Sequence, residues 1–306
     1  MADPDPSWEL YRSFLAVLDA GSLSGAARRL RLAQPTLGRH IRALEQTLGT
    51  ALFTRSPAGL EATDTARALA PDARAMASAA AALVRTASGP AGEATGTVRL
   101  TAAEIVGVEV LPPMLTAFRA RHPGVAIELA LSNEQQDLLR RDADIAVRMA
   151  RPTQGALLAR RIGQLRLRLY AHESYLAAHG TPGSLADLGR HTVIGYDKVQ
   201  PPARVGKALG IGLSRDLFAL RTDNELAQLA HLRAGFGILP CQPVIAARSE
   251  GLVPLLADRF AFDIEVWVVM HEDLAISRRM RLLFDHLVDG LAAYVAQSDR
   301  LTRQTT

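Results

Sequence analysis

Apolar residues recur at helical spacing from the first residues onward. Trp8, Tyr11, Phe14, Leu15 and Leu18 share one helix face, and Gly21 marks its end, because glycine tolerates the left-handed backbone of a helix terminus. Ser22 offers a hydroxyl cap for a short second helix with Leu23, Ala26, Ala27 and Leu30 on its apolar side. The alanines permit close approach of a neighbouring helix, and residues 31–33 leave room only for a turn. A third helix starts at Gln34 or Pro35, since proline fits a first turn. Its apolar residues Leu37, Ile41, Leu44 and Leu48 are spaced by 4, 3 and 4 and form one narrow stripe. Pro35, Arg39, Arg42 and Gln46 fall on the opposite face, and Gly49 stops the helix. Leu52 and Phe53 then read as a buried strand, followed by a turn at Ser56, Pro57 and Gly59, a short hairpin with Arg55 at its shoulder.

The pattern changes from Thr63 to Ser88, an alanine-rich, helix-prone stretch. Ala62, Ala66, Leu69, Ala73, Met76, Ala80 and Leu83 are spaced alternately by 4 and 3, a heptad seam. Pro71 lies inside it and is expected to kink or open the helix. Such a seam packs either on its own domain or on a second copy; its position between two domains favours the second. The segment ASGPAGEATG, residues 87–96, has the composition of a hinge.

Beyond residue 97 strands and helices alternate. Strands are predicted at Thr97–Thr101, Val125–Leu131, Asp144–Met149, Leu165–His172, Thr192–Tyr196, Leu217–Thr222, Ile238–Leu239 and Ile264–His271. Helices are predicted after Thr101 through about Arg121, at Glu134–Arg141, at Asn224–Ala234, and at Ser277–Ala296. Alternation of this kind implies an α/β fold with parallel sheets, whose ligands sit beyond the carboxyl ends of the strands. Two such ends stand out: Thr101, Ala102, Ala103 and Glu104 opening a helix, and Thr222, Asp223 and Asn224 opening another. Ser132 and Asn133 follow a third strand, and Arg148 lies near the end of a fourth. Thr, Asp and Asn at helix starts also serve as plain caps, and Arg148 has a second reading as a structural ion pair.

Composition sharpens this picture in one place. The 306 residues are 48% hydrophobic with a net charge of +4, ordinary for a globular protein, but arginine supplies nearly all of the basic excess. Between Arg28 and Arg55 there are six arginines and one acid, Glu45, which suggests a polyanionic partner for that block. The acidic N-terminus has no apolar signal-peptide core, and no run approaches the ~20 apolar residues of a membrane span. A cytoplasmic chain without a membrane partner is expected. A single cysteine, Cys241, excludes an internal disulfide framework and a cysteine-built zinc site. His122, His172, His179, His191, His231, His271 and His286 show no metal spacing on one helix face, and no phosphate-binding loop or dinucleotide fingerprint occurs. Neither a cofactor nor catalysis is expected; Cys241 reads as a buried free thiol rather than a nucleophile.

A short small-residue helix, a tight turn and a longer helix with a basic outer face make a helix-turn-helix whose second helix fits a major groove. Arginine pairs bidentately with guanine and glutamine with adenine, so Arg39, Gln34 and Thr36 are the base-edge candidates, with Pro35 beside them. Ser24, His40 and Arg42 are candidates for phosphate, and Arg55 on the hairpin for backbone or minor groove.

The segment FLAVLDAGSLSGAARRLRLAQPTLGRHIRALEQTLGTALFTRSPAGLEATDTAR resembles the N-terminal winged helix-turn-helix of LysR-type transcriptional regulators. The AA pair, the QP-T segment, the ALE-LG segment and the LF-R wing carry the likeness. Ala33 and Gly38 stand where serine is common in that family, so another group is expected to cap the recognition helix. LPPMLTAFRARHPGVAIEL, DADIAVR and LRAGFGILP resemble, more loosely, the effector-binding half of the same regulators. The resemblance implies a winged helix-turn-helix DNA-binding domain at 1–62, a dimerisation linker helix at 63–88 and a hinge at 89–96. It further implies an effector domain at 97–306, similar to a periplasmic binding protein. Of its two subdomains, the first is 97–165 with 268–306 and the second 166–267. The implied partners are double-stranded DNA, a small-molecule effector in the cleft, further copies of the chain as a homodimer or homotetramer, and RNA polymerase. Hydroxyl groups common in relatives are replaced by Ala102 or Ala103, and Glu104 adds negative charge, which disfavours a simple carboxylate effector. Other readings are an effector-independent repressor, a small-molecule binding protein of the periplasmic type, and an enzyme built around Cys241.

Overall fold

The computed structural model describes residues 5–56, 59–87, 94–133, 143–152, 157–198 and 215–304. They divide into an N-terminal unit reaching Ala87 and a larger unit that holds most of the rest. In the first, α1 (Trp8–Ala20) ends at Gly21, whose φ of 60° needs no Cβ, and α2 (Leu23–Leu30) is capped by the Ser22 hydroxyl accepting from Gly25 N–H. After a turn, α3 (Gln34–Leu48) ends at Gly49, again left-handed with φ 67°. A two-stranded antiparallel hairpin follows, β1 (Phe53–Ser56) and β2 (Gly59–Ala62). Leu52 is fully buried but precedes β1 rather than belonging to it. Phe14, Val17, Ala26, Leu37, Leu44 and Leu52 make the core of this unit, as the helical stripes predict.

The last element of the unit is α4 (Asp64–Ala87), capped by the Thr63 hydroxyl, which accepts from Ala66 N–H at 3.2 Å. The helix runs unbroken through Pro71, against the expected opening. Pro71 is exposed, where water can serve the carbonyl that its missing N–H leaves open. The heptad seam splits in two. Ala66 and Ala73 are buried in the core of their own unit, whereas Met76 is 41% and Leu83 64% exposed, with Val84 beside it at 69%.

The larger unit is built on a mixed sheet, not the purely parallel one that alternation suggested. Its members are β3 (Gly96–Ala102), β4 (Val125–Leu131), β5 (Ile145–Arg148), β6 (Leu157–His172), β9 (Leu239–Cys241), β10 (Leu252–Leu255) and β11 (Phe262–His271). Their order is β10-β6-β11-β5-β3-β4, with β9 also on β6. β3 pairs parallel with β4 and β5, but β6, β9, β10 and β11 are antiparallel to their neighbours. β6 starts at Leu157, eight residues before the expected Leu165, and runs from one lobe into the other. A separate parallel pair, β7 (Val193–Gly195) and β8 (Phe218–Arg221), belongs to the second lobe.

Several helices differ from expectation. The long helix after β3 is two, α5 (Glu104–Glu109) and α6 (Leu111–Arg121), broken at Val110 ahead of Pro112 and Pro113. α7 (Glu173–His179), α9 (Pro243–Ala247) and β10 carry too few residues for a periodic signal. α8 (Glu225–Arg233) matches its prediction, and α10 (Arg278–Gln304) extends eight residues beyond Ala296. The helix expected at Glu134–Arg141 and most of the hinge at 89–96 lie outside the described residues.

Candidate nucleic-acid interface and ligand cleft

Burying Leu37, Ile41 and Leu44 turns the opposite side of α3 outward. Gln34, Pro35, Arg39 and Arg42 are exposed there, as is Ser24 on α2, while Thr36 and His40 are half-buried. Arg55 lies on β1 opposite Leu60, and its side chain is outside the described residues. Local bonds sort these groups. His40 Nδ1 lies 2.8 Å from the hydroxyl of buried Ser13, tying α3 to α1 and leaving Nε2 for any outside partner. Arg42 Nε donates back to the Gly38 carbonyl at 3.2 Å. Arg29 pairs with Asp19 at 3.1 Å, and Arg74 of α4 meets the same carboxylate at 3.2 Å. That arginine of the basic block therefore links α2, through α1, to α4. Ala33 supplies no side-chain cap to α3, and among the described residues no other side chain takes its place; Pro35 in the first turn has no N–H to satisfy.

The lone acid of the basic block has a structural task that the sequence reading missed. Glu45 Oε1 accepts from Leu52 N–H at 2.8 Å and Phe53 N–H at 3.3 Å, so the chain leaving α3 is held at the start of the hairpin. Leu60 N–H donates to the Gly21 carbonyl at 3.2 Å, anchoring the other strand to the α1–α2 turn. A glutamate one turn before a helix end, followed by glycine and a strand, was the available signal.

In the larger unit the two predicted strand ends meet. After β3, Ser132 N–H donates to the Ala102 carbonyl and Asn133 Oδ1 accepts from Glu104 N–H, both at 3.0 Å. After β8, Thr222 N–H donates to the Gly195 carbonyl, and the Asp223 carboxylate accepts from the N–H groups of Asp197 and Lys198. Asn224 caps α8 by accepting from Ala227 N–H at 2.7 Å, and its Nδ2 donates to Glu104 Oε2 at 3.1 Å, which joins the lobes. Thr101 and Ala102 are fully buried in β3, Ala103 half-buried. Arg148 makes no ion pair among the described residues: Nη1 lies 3.4 Å from the Val147 carbonyl and Nη2 is buried without a partner. Burial lowers its pKa.

Two further groups line this junction. The Glu225 side chain is partly buried, its Oε2 wholly so and without a partner, and the backbone N–H of Ile105 in the other lobe only partly offsets that burial. Burial first, then the charge of Glu104, raises its pKa above the usual carboxylate range. Tyr196 is pushed up to about 12 by burial, with Glu225 and Asp223 adding to the effect. α5 and α8 thus lie side by side and parallel, with Glu104 against Asn224 at one end. At the other, Glu109 takes a bidentate pair from Arg233 at 2.8 and 2.9 Å. Glutamate in a first helical turn reads from sequence as a response to the helix dipole, which hid Glu225.

Two family models cover this architecture. Residues 8–67 match the bacterial regulatory helix-turn-helix proteins of the lysR family, and residues 91–292 match the LysR substrate binding domain. The chain belongs to the LysR family of transcriptional regulators. CrgA of Neisseria meningitidis, an HTH-type transcriptional regulator, is 27% identical over 290 residues, 91% of this chain and 95% of that protein. The solved CrgA structure covers 92% of this chain and 98% of its own, at 25% identity and a TM-score of 0.58. CbnR, a LysR family transcriptional regulator, is similar in fold with a TM-score of 0.68 at 21% identity, covering 93% of this chain and 99% of its own. AphB, a Vibrio cholerae virulence activator, is similar at 0.62 and 21% identity, covering 92% and 99%. Membership makes this chain a DNA-binding transcription factor and not an enzyme.

Cys241 is buried in the sheet core and burial pushes its thiol up to about 12, far from a reactive thiolate. Among the described residues there is no group of His, Cys, Asp or Glu able to hold a metal, and no helix is long and apolar enough to cross a membrane.

Proposed function

We propose that the protein is a sequence-specific regulator, acting in the cytoplasm, whose grip on DNA is set by a small molecule bound between the lobes of its C-terminal unit. Two or four copies present α3 and the wing to half-sites of double-stranded DNA, with RNA polymerase as a further partner of the bound oligomer. Gln34, Thr36 and Arg39 read base edges beside Pro35. Ser24, His40 through Nε2, and Arg42 hold phosphates, and Arg55 reaches backbone or minor groove. The observation that carries this reading is the exposed Gln34–Arg39–Arg42 face opposite the buried Leu37–Ile41–Leu44 stripe. Self-association through α4, within a linker at 63–88, is supported by the exposed Met76, Leu83 and Val84.

The effector contacts Ala103, Glu104, Ser132, Asn133, Arg148 and Thr222–Asn224, with the buried Thr101 and Ala102 shaping the floor of the site from within β3, in a domain spanning 97–306. The carboxylates of Glu104 and Glu225 favour a ligand that brings a cation or hydrogen-bond donors there rather than another carboxylate. A ligand alters output only by binding two geometries of the oligomer unequally. The test is a panel of small metabolites added to the full-length protein, read by thermal unfolding and by protection of its DNA site. The expected result is a compound that raises the unfolding temperature and changes the protection pattern together. A compound that stabilises the protein but leaves protection unchanged contradicts effector control.

A further inference from the structure

Among the described residues, two that are not glycine hold a left-handed backbone, Arg31 at φ 55° and Leu256 at φ 49°. Leu256 is half-buried against the apolar cluster of the second lobe, so packing offsets its strain. The Arg31 side chain has no such packing. Its side chain is exposed and makes no hydrogen bond or ion pair among the described residues. Its backbone N–H closes the end of α2 on the Ala27 and Arg28 carbonyls, a task glycine or asparagine performs with less strain. The position lies three residues before Gln34, in the turn that delivers the recognition helix. Arg29 is engaged on Asp19, whereas the Arg31 guanidinium has no partner among the described residues and is open to one outside the chain.

We propose that Arg31 is a DNA-positioning residue, its guanidinium clamping a backbone phosphate beside the major groove entered by α3, and that this contact is what the strained turn serves. The inference rests on the helix-turn-helix reading but adds a residue outside the base-facing set. The backbone bonds account for the turn but not for an arginine in it, and a strained position kept by a side chain with no partner inside the chain points to a function outside it. A phosphate contact is blind to sequence, so its loss weakens all duplexes alike and lowers the salt dependence of binding.

The test uses the full-length protein and duplexes enriched by the wild type from a randomised pool, with a scrambled duplex as control. Arg31→Asn keeps the left-handed turn, so its unfolding temperature is expected to stay level or rise. Its affinity is expected to fall roughly tenfold on the selected and scrambled duplexes alike, a charged hydrogen bond lost. The slope of log affinity against log salt is expected to shrink by about one per half-site. Arg31→Lys restores the charge and most of the affinity. Arg31→Asn binding as tightly, with an unchanged slope, overturns the proposal and leaves Arg31 a plain helix terminus. Arg39→Ala separates this from the parent reading: if it loses preference for the selected duplex while Arg31→Asn binds normally, only the Arg31 role fails.

Discussion

At the scale of single residues, the recognition unit is a set of small decisions about where backbone groups and charges go. Gly38 sits inside α3, where glycine costs about 0.5–1 kcal/mol relative to alanine. A Cβ built there meets nothing closer than Arg42 Nη2 and Leu23 Cδ1, both at 3.9 Å. Gly38→Ala is therefore expected to stabilise the protein by about 0.5–1 kcal/mol in urea unfolding; destabilisation means that the helix face is tighter than this geometry. Glu45 gives the opposite case. Glu45→Ala strands the Leu52 and Phe53 N–H groups and is expected to cost about 1–3 kcal/mol. Glu45→Gln keeps an acceptor and loses less. Hydrogen exchange at those two amides distinguishes a local loosening of the hairpin from a global effect.

At the scale of elements, the most informative object is α4. Its seam was legible in the 4, 3 spacing, but spacing cannot say which turns find a partner inside the chain. Ala66 and Ala73 pack on their own core; Met76 and Leu83 do not. Leu83→Glu is expected to shift sedimentation toward the monomer without lowering the helix content of the N-terminal unit. An unchanged oligomer moves self-association elsewhere. The three-helix unit was read almost whole, because Leu37, Ile41 and Leu44 carry a strong period and Gly21 and Gly49 punctuate it. The mixed sheet was not. β6 is exposed along its first half and buried along its second, so no single alternation spans it, and strand direction leaves no mark in a hydrophobic pattern. The polar strand ends at Glu104 and Asn224 were visible; that they touch, and that Glu225 joins them, depended on how two separate strands are brought together.

At the scale of the molecule, the larger unit behaves as two lobes fastened along α5 and α8. One end is closed by the Glu109–Arg233 pair, the other by Asn224 and a carboxylate pair whose charges oppose each other. A carboxyl group whose folded pKa is raised adds stability that is present below its unfolded pKa and is lost as pH rises through the folded value. Near neutral pH, Glu225→Gln is therefore expected to be more stable than wild type, and the difference should shrink as pH falls toward the ordinary carboxylate range. A difference that grows on acidification has the wrong sign and removes the like-charge reading.

Everything proposed for the whole molecule depends on the outer face of α3 reading DNA. The decisive experiment selects duplexes from a randomised pool with the full-length wild type, then measures wild-type and Arg39→Ala binding to the winner at several salt concentrations. One enriched sequence, bound with strong salt dependence, is expected. Arg39→Ala should lose about 1–3 kcal/mol of discrimination, while its weaker, sequence-independent binding survives. No enriched sequence, or an enriched one that Arg39→Ala binds as tightly as wild type, contradicts a DNA-reading role for α3.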